Sequence, residues 1–365
     1  MAHQEHIADH FLELNGLMPF EDYMKEALYH PRYGYYSSNI ATVGRRGDFS
    51  TSATINDTVA RSVVRWASIE RKKALGVGVG RRWHVIEIGA GDGSLARDFL
   101  SNVSWRHRPF LTYHIVEVSE PLRRKQREKL PRLQVRWHED IGDALAAAHG
   151  KALIFSNEVV DAFPVTALRW NDSRRAWEKL FLRDQGVKGL AEEFMPLKGE
   201  MTKEDSSTFG TWHQDAVPLL DGQRCEVHWS YRDWQKQWLP QLERGAMLTI
   251  DYGGRFPGVY HKRVSGTMRG YFQGVRLEGM EIYDRFGHQD LTCDVNFTDL
   301  QQWGESMGLS TVSVTSQRDF LMEMLPSLKD SKLQHQDSAL DFLMSPYGAG
   351  KAFSVLQQRK GSHSD

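Results

Sequence analysis

The chain has 365 residues, with 46 Lys and Arg against 47 Asp and Glu, a formal net charge of −1 and 40% hydrophobic residues. That length exceeds the usual single-domain range, so one core with additions is expected, and the near-neutral balance excludes a net field for binding nucleic acid or an anionic membrane. The only cysteines, Cys225 and Cys293, are far apart and lack metal-ligand spacing, which argues against a disulfide framework or a zinc site and for a reducing compartment.

No run approaches the roughly 18 apolar residues of a membrane-spanning helix. The first residues, Met1 to His6, carry no basic-then-apolar signal, and no arginine precedes Arg32, so a cytoplasmic setting is expected. Helical apolar spacing runs from Ile7 to Leu14 and from Phe20 to Leu28, and His30-Pro31 with Gly34 ends it. Residues 1–52 therefore read as an N-terminal helical cap that finishes in a glycine- and hydroxyl-rich loop, Gly44 to Ser52. A helix from Ile55 to Lys73 leads into a first core strand, Trp83 to Ile88. Further strands are expected at Tyr113 to Val118, Leu133 to Trp137, Ala152 to Asn157, Ala246 to Tyr252, Ser310 to Ser316 and Ala352 to Gln357, with intervening helices. Val165 to Trp170 and Trp177 to Leu182 read as a hairpin about Asn171-Asp172-Ser173. Gly186 to Asp221 is polar and irregular. The organisation expected is a core over 53–185 and 225–358, insertions at 186–224 and 255–294 forming an acceptor-side lid, and a tail over 359–365. The basic runs Arg71-Lys72-Lys73 and Arg123-Arg124-Lys125 read as solvated helix faces. Trp212, Trp229, Trp234 and Trp238 read as an exposed hydrophobic lid or a homodimer contact, or else as core.

The sharpest local signal is Val85-Ile86-Glu87-Ile88-Gly89-Ala90-Gly91-Asp92-Gly93, an apolar strand carrying an acid and running into a turn with glycine at every second position. Glycines admit positive φ and leave no Cβ between main chain and ligand. A dinucleotide fold wants its third glycine where Ser94 stands. The G-x-G-x-G turn with Glu87 instead suits S-adenosylmethionine, whose sulfonium and ammonium are cationic, over a nicotinamide dinucleotide. Glu117, at the tip of the second strand, is placed to accept hydrogen bonds from both ribose hydroxyls. The other reading is a surface glutamate at a strand end.

Ligands of open α/β sheets sit beyond the carboxyl ends of the strands, so the tips of strands four and five are candidates for chemistry. Glu158 and Asp161, one turn apart, can face the acceptor, orient a guanidinium or amine, and remove its proton as the methyl transfers. Otherwise they decorate a helix N-terminus. Asp251, at the fifth strand tip, either binds substrate or satisfies backbone donors. In the late insertion, Arg269 is a candidate to grip an acidic substrate or to pair with an acid such as Glu158, and His288 is a candidate base.

The chain resembles the MidA-like class I methyltransferases, the group that includes the mitochondrial complex I assembly-factor arginine methyltransferase. The resemblance rests on Tyr23 to Pro31 with Gly34-Tyr35-Tyr36-Ser37; Gly47 to Ser52; the Glu87 glycine turn; Ile115 to Ser119 with Leu122-Arg123 and Gln126; Asn157-Glu158, Asp161-Ala162 and Pro164-Val165; Ile250 to Gly253; Gly266 to Tyr271; and Asp290-Leu291-Thr292 with Asp294-Val295 and Phe297. It implies an α/β fold with a Rossmann-like seven-stranded class I methyltransferase sheet, S-adenosylmethionine as donor with S-adenosylhomocysteine as product, and protein arginine methylation in its best-known members. The cofactor-side set is then Asp48, Thr51, Glu87, Gly89, Ala90, Gly91, Gly93, Glu117, Val118, Asp140, Ile141, Asn157 and Glu158, with no metal. Asp48 and Thr51 lie on a loop able to close over the methionine end. Ala53 to Asp57, Val159-Val160 and Gly270 depart from the family pattern. The acceptor is therefore a protein or a small molecule, methylated on nitrogen or oxygen. The contrasting function is a non-catalytic assembly or scaffold protein that keeps the cofactor pocket.

Overall fold

The computed structural model describes residues 7, 11, 13–39, 56–78, 81–198, 212, 219–329, 338–345 and 348–361. Among them the chain forms two compact units, each assembled from separated stretches of sequence. One draws on residues 42–159, 234–252 and 303–365, the other on 1–41, 160–233 and 253–302.

The first of these is the α/β core. Its sheet runs in the order Ser310–Ser316, Phe353–Lys360, Arg244–Gly254, Lys151–Asn157, Trp83–Ile88, Leu111–Val116, Val135–His138. The last five strands of that path are parallel to one another, and Phe353–Lys360 pairs antiparallel to both its neighbours. Parallel strands covered on both faces must be apolar throughout, and Ala152, Leu153, Ile154 and Phe155 are all fully buried. One face, bearing Val85, Tyr113, Ile115, Leu153 and Leu248, packs on Val59, Val63 and Trp66 of the helix Thr58–Lys73 and on Phe99 of Ser94–Asn102. The chain order reverses at Trp83–Ile88, which lies between Leu111–Val116 and Lys151–Asn157, so the ligand crevice of this topology falls at the tips of these three strands. The seven-stranded expectation holds. An eighth strand, Val295–Asn296, pairs off the main path with Gly253 and Gly254.

The second unit contains a five-stranded antiparallel sheet in which Leu17–Pro19, Ala176–Asp184, Thr166–Asn171 and Arg224–Val227 follow one another and Leu190–Pro196 pairs with Ala176–Asp184. The expected hairpin is present, with Leu168 opposite Lys179. Within the stretch after Gly186, read as irregular, the described residues include a strand, Leu190–Pro196. Leu190–Pro196 reads poorly as a strand because its side chains, including Glu192 and Glu193, are only half-buried on both faces, so no alternation marks it. A small antiparallel sheet, Arg269–Phe272 with Val275–Leu277 and Asp290–Thr292, fills the stretch read as a second excursion.

Two surface expectations change. Arg71 and Arg123 are buried, because a helix of 3.6 residues per turn carries part of any basic run inward. The Arg71 guanidinium donates to the Val77 and Gly78 carbonyls at 2.7 Å, and Arg123 donates to the Glu117 carbonyl at 2.8 Å. Trp212 and Trp238 are core residues, and Trp229 and Trp234 are half-buried, so no tryptophan lid is exposed. Cys225 and Cys293 are buried and free.

Candidate functional site

The glycine turn follows directly from the first core strand, Trp83–Ile88. Gly89, Gly91 and Gly93 all adopt positive φ, at 65°, 53° and 81°, conformations that an L side chain resists. At Gly89 a Cβ would also meet Val159 Cγ2 at 2.8 Å. Val159, one of the departures from the family pattern, therefore covers the donor turn. Gly93 serves as the left-handed N-cap of Ser94–Asn102.

Glu87 is fully buried beneath this turn, and the Tyr113 hydroxyl donates to its Oε2 at 2.8 Å. Burial pushes its carboxyl up to about 8 despite that hydrogen bond, with Glu117 and Asp92 adding repulsion. Glu117 lies just past the second core strand and is also buried. Its Oε1 accepts the Ser119 N–H at 3.0 Å and its Oε2 accepts Gln126 Nε2 at 3.2 Å. Burial raises it to about 7, opposed by those two hydrogen bonds and by Arg123. The neighbouring Val118 is 63% exposed, an apolar surface beside a strand tip. Asp140 caps Ile141–Ala147 by accepting the Gly142 N–H at 2.7 Å, and Ile141 is buried.

At the tip of the fourth core strand, Asn157 Nδ2 donates to Glu158 Oε1 at 3.1 Å. Asn157 Oδ1 is buried and accepts no hydrogen bond among the described residues. Glu158 takes a left-handed backbone, φ 55°, unusual for a residue with a Cβ. The fifth strand holds this bend. Ile250 O accepts the Glu158 N–H at 2.9 Å, and Asp251 Oδ2 accepts the Val159 N–H at 3.1 Å while its Oδ1 accepts the N–H of Tyr252 at 2.8 Å. Asp251 thus satisfies backbone donors, one of the two roles expected for it. Glu158 and Asp161 do not share a helical turn. The left-handed residue breaks the helix before it starts, and Phe163-Pro164 leaves only a three-residue 3₁₀ turn, Val160–Ala162.

In the other unit, Asp161 Oδ2 accepts the Thr292 hydroxyl at 2.8 Å and Asp290 Oδ1 accepts the Tyr36 hydroxyl at 2.8 Å. Burial, then repulsion from Asp161, raises Asp290 to about 7. Arg269 is buried and pairs with Asp294 at 2.6 Å, also donating to the Thr267 carbonyl at 3.1 Å. His288 is exposed in the turn after Arg285. Asp48 and Thr51 lie outside the described residues.

Residue-by-residue reading assigned no role to Gln126 or Trp137. Gln126 recurs at helical spacing between Leu122 and Leu130, all three buried, so a polar residue in an apolar stripe is the signal that marks it.

These parts fit a sulfonium nucleoside. The turn is bare main chain, a buried carboxylate stands at each of the first two strand tips, and a buried amide oxygen accepts no hydrogen bond among the described residues. Fold and site together define a class I S-adenosylmethionine-dependent methyltransferase. The model of a family described as "Putative S-adenosyl-L-methionine-dependent methyltransferase" matches residues 59–315, and the chain belongs to that family.

The chain is similar to the protein arginine methyltransferase NDUFAF7 homolog, mitochondrial, of Drosophila melanogaster, at 27% identity over 324 residues, which is 80% of this chain and 68% of that protein. It is also similar to NDUFAF7, mitochondrial, of Mus musculus, at 24% over 384 residues, covering 94% and 81%. A Burkholderia thailandensis protein whose crystal structure holds S-adenosylhomocysteine matches with a TM-score of 0.83 at 26% identity, covering 98% of this chain and 92% of that one. S-Adenosylmethionine is the methyl donor and S-adenosylhomocysteine the product. The cytoplasmic expectation is corrected by these comparisons, since the curated relatives are named as mitochondrial.

Proposed function

We propose that the protein methylates a nitrogen acceptor, the guanidinium of a protein arginine, with Glu158 as the carboxylate that engages it. The observation carrying this reading is the left-handed backbone of Glu158 at the fourth strand tip, braced by Ile250 and Asp251. A backbone is held in a sparsely populated conformation where its surroundings over-determine it, as functional sites do. A carboxylate matches a guanidinium in a two-point ion pair and accepts its proton as the methyl arrives. The names of the curated relatives, both protein arginine methyltransferases, point the same way.

On the donor side, Glu87, Gly89, Ala90, Gly91, Gly93, Glu117, Val118, Asp140, Ile141 and Asn157 form the proposed cofactor set. The cofactor supplies an electrophilic methyl on a sulfonium sulfur. This chain holds the nucleoside at Glu117, offers Asn157 Oδ1 to a cationic donor, and orients the acceptor nitrogen for in-line attack, so that rate comes from positioning and exclusion of water. Asp161 and Arg269, in the other unit, are engaged with Thr292 and Asp294, and no part in this step is proposed for them.

The test is transfer of a labelled methyl group from S-adenosylmethionine to arginine-bearing peptides and, in parallel, to small metabolites. Labelling on peptide arginine that is lost in Glu158→Gln supports the reading. Labelling confined to small molecules moves the assignment to a metabolite acceptor, and undiminished transfer by the variant removes Glu158 from the chemistry.

A further inference from the structure

We propose that Gln126 is a positioning residue for cofactor binding, one that ties the glycine turn to the ribose carboxylate and keeps Glu117 aimed and ionised. The proposal rests on the reading of Glu117 as the ribose-binding residue. Gln126 sits on Glu120–Lys129 and is fully buried. Its Oε1 accepts the indole N–H of Trp137 at 3.1 Å. An indole nitrogen can only donate, so this bond fixes which way the amide faces. Nε2 is then the end that donates to the Gly91 carbonyl at 2.8 Å and to Glu117 Oε2 at 3.2 Å. Both amide hydrogens are used. Gly93 completes the fit, because its bare Cα faces Gln126 Cγ, which a Cβ there would meet at 3.3 Å.

One side chain therefore joins parts of the site that follow three different strands. The turn comes after Trp83–Ile88, Glu117 follows Leu111–Val116, and Trp137 belongs to Val135–His138. A donor on a buried carboxylate favours its charged form, and only that form accepts from both ribose hydroxyls through all its lone pairs. Among the described residues, the other charged or titratable groups about Glu117 include Glu87 from the first strand, Arg123 with its partner Glu120 from the helix, and His138 and Glu139 at the end of the third strand. His138 gives its carbonyl to the Glu117 N–H at 3.0 Å, and Glu139 pairs with Arg123 at 2.9 Å. Among the hydrogen bonds of the described residues, Gln126 is the side-chain donor to the Glu117 carboxylate.

The experiment is calorimetric titration of the full chain with S-adenosylhomocysteine between pH 6 and 9, for wild type, Gln126→Leu, Gln126→Glu, Trp137→Phe and Glu117→Ala, with circular dichroism on each. For wild type, affinity falls as the pH drops and Glu117 takes up a proton. Gln126→Leu is expected to weaken binding about tenfold or more at pH 7.5 and to move that fall to higher pH, since the charged form has lost a donor. Gln126→Glu is expected to weaken it further at high pH, where a second carboxylate faces Glu117. Trp137→Phe, which frees the amide without removing it, should give a smaller loss in the same direction.

A loss that is equal at every pH would reduce Gln126 to a packing residue and overturn the proposal, as would an unchanged affinity in Gln126→Leu. Should that variant not fold, the direction of the Trp137→Phe profile decides. If Glu117→Ala leaves binding unchanged, the reading of the ribose site has failed. If Glu117→Ala weakens binding and the Gln126 variants do not, only the present proposal has.

Discussion

The two units hold their polar groups with different chemistry. The α/β core presents main chain: three glycines at positive φ, a left-handed Glu158, and strand-tip acids of which Asp251 accepts two backbone N–H groups and Glu117 accepts one. The other unit presents buried side chains paired across long stretches of sequence, with Asp161 on Thr292, Asp290 on Tyr36 and Arg269 on Asp294. Geometry of the first kind, a glycine turn following a strand, is one that local sequence can encode. Pairs of the second kind arise only where the folded chain brings distant residues together.

That contrast is broken most severely at Glu158. Glu158→Gln should lower labelled-methyl transfer by about 10²- to 10⁴-fold, the usual worth of a positioned proton acceptor. Affinity for S-adenosylhomocysteine should fall far less, and equal losses in the two measurements would place Glu158 in donor binding only. Next in size, Glu117→Ala should weaken S-adenosylhomocysteine binding by about 10- to 100-fold, the range for hydrogen bonds to a charged group. Gly93→Ala, at a position whose left-handed φ is 81°, should cost about 1–2 kcal/mol in chemical denaturation and weaken binding with it.

The buried acids sharpen the comparison through pH. Glu87 has its carboxyl raised to about 8 by burial, so it holds its proton more tightly folded than unfolded. Stability from this group is full below its unfolded value near 4.5 and is lost as the pH climbs through about 8. Glu87→Gln should therefore flatten the fall in unfolding free energy between pH 5 and 8 by on the order of 3 kcal/mol. An identical slope in variant and wild type would mean that Glu87 titrates normally. The smallest effect is expected in the other unit. Asp161→Asn removes one of the causes that raise Asp290 to about 7, so stability should fall less steeply from pH 4 to 7, by about 1 kcal/mol. Thermal unfolding across that range would show it.

Much of the core was legible because its parts are local. Val85 to Gly93 carries strand, turn and acid in nine residues, and the apolar run Ala152 to Phe155 announces a strand buried on both faces. Ser310–Ser316 falls where the sequence placed a strand. Three features did not show. Leu190–Pro196 gains its strand from pairing with Ala176–Asp184 and not from its own pattern. Arg71 and Arg123 lie in basic runs that look solvated, yet each buries its guanidinium on backbone carbonyls. The break between Glu158 and Asp161 depends on bonds to Ile250 and Asp251, about ninety residues away in the chain. The resemblance to a family picked out Gly266 to Tyr271 and Asp290 to Phe297, but not their pairing, because hydrogen bonds between distant buried side chains leave no periodicity to read.

The most direct measurement is a crystal structure grown with S-adenosylhomocysteine. The account predicts the nucleoside lying across Gly89 to Gly93, with both ribose hydroxyls within hydrogen-bond distance of the Glu117 carboxylate. A ligand seated elsewhere, or a ribose held by other groups while Glu117 keeps only its protein partners, would contradict it.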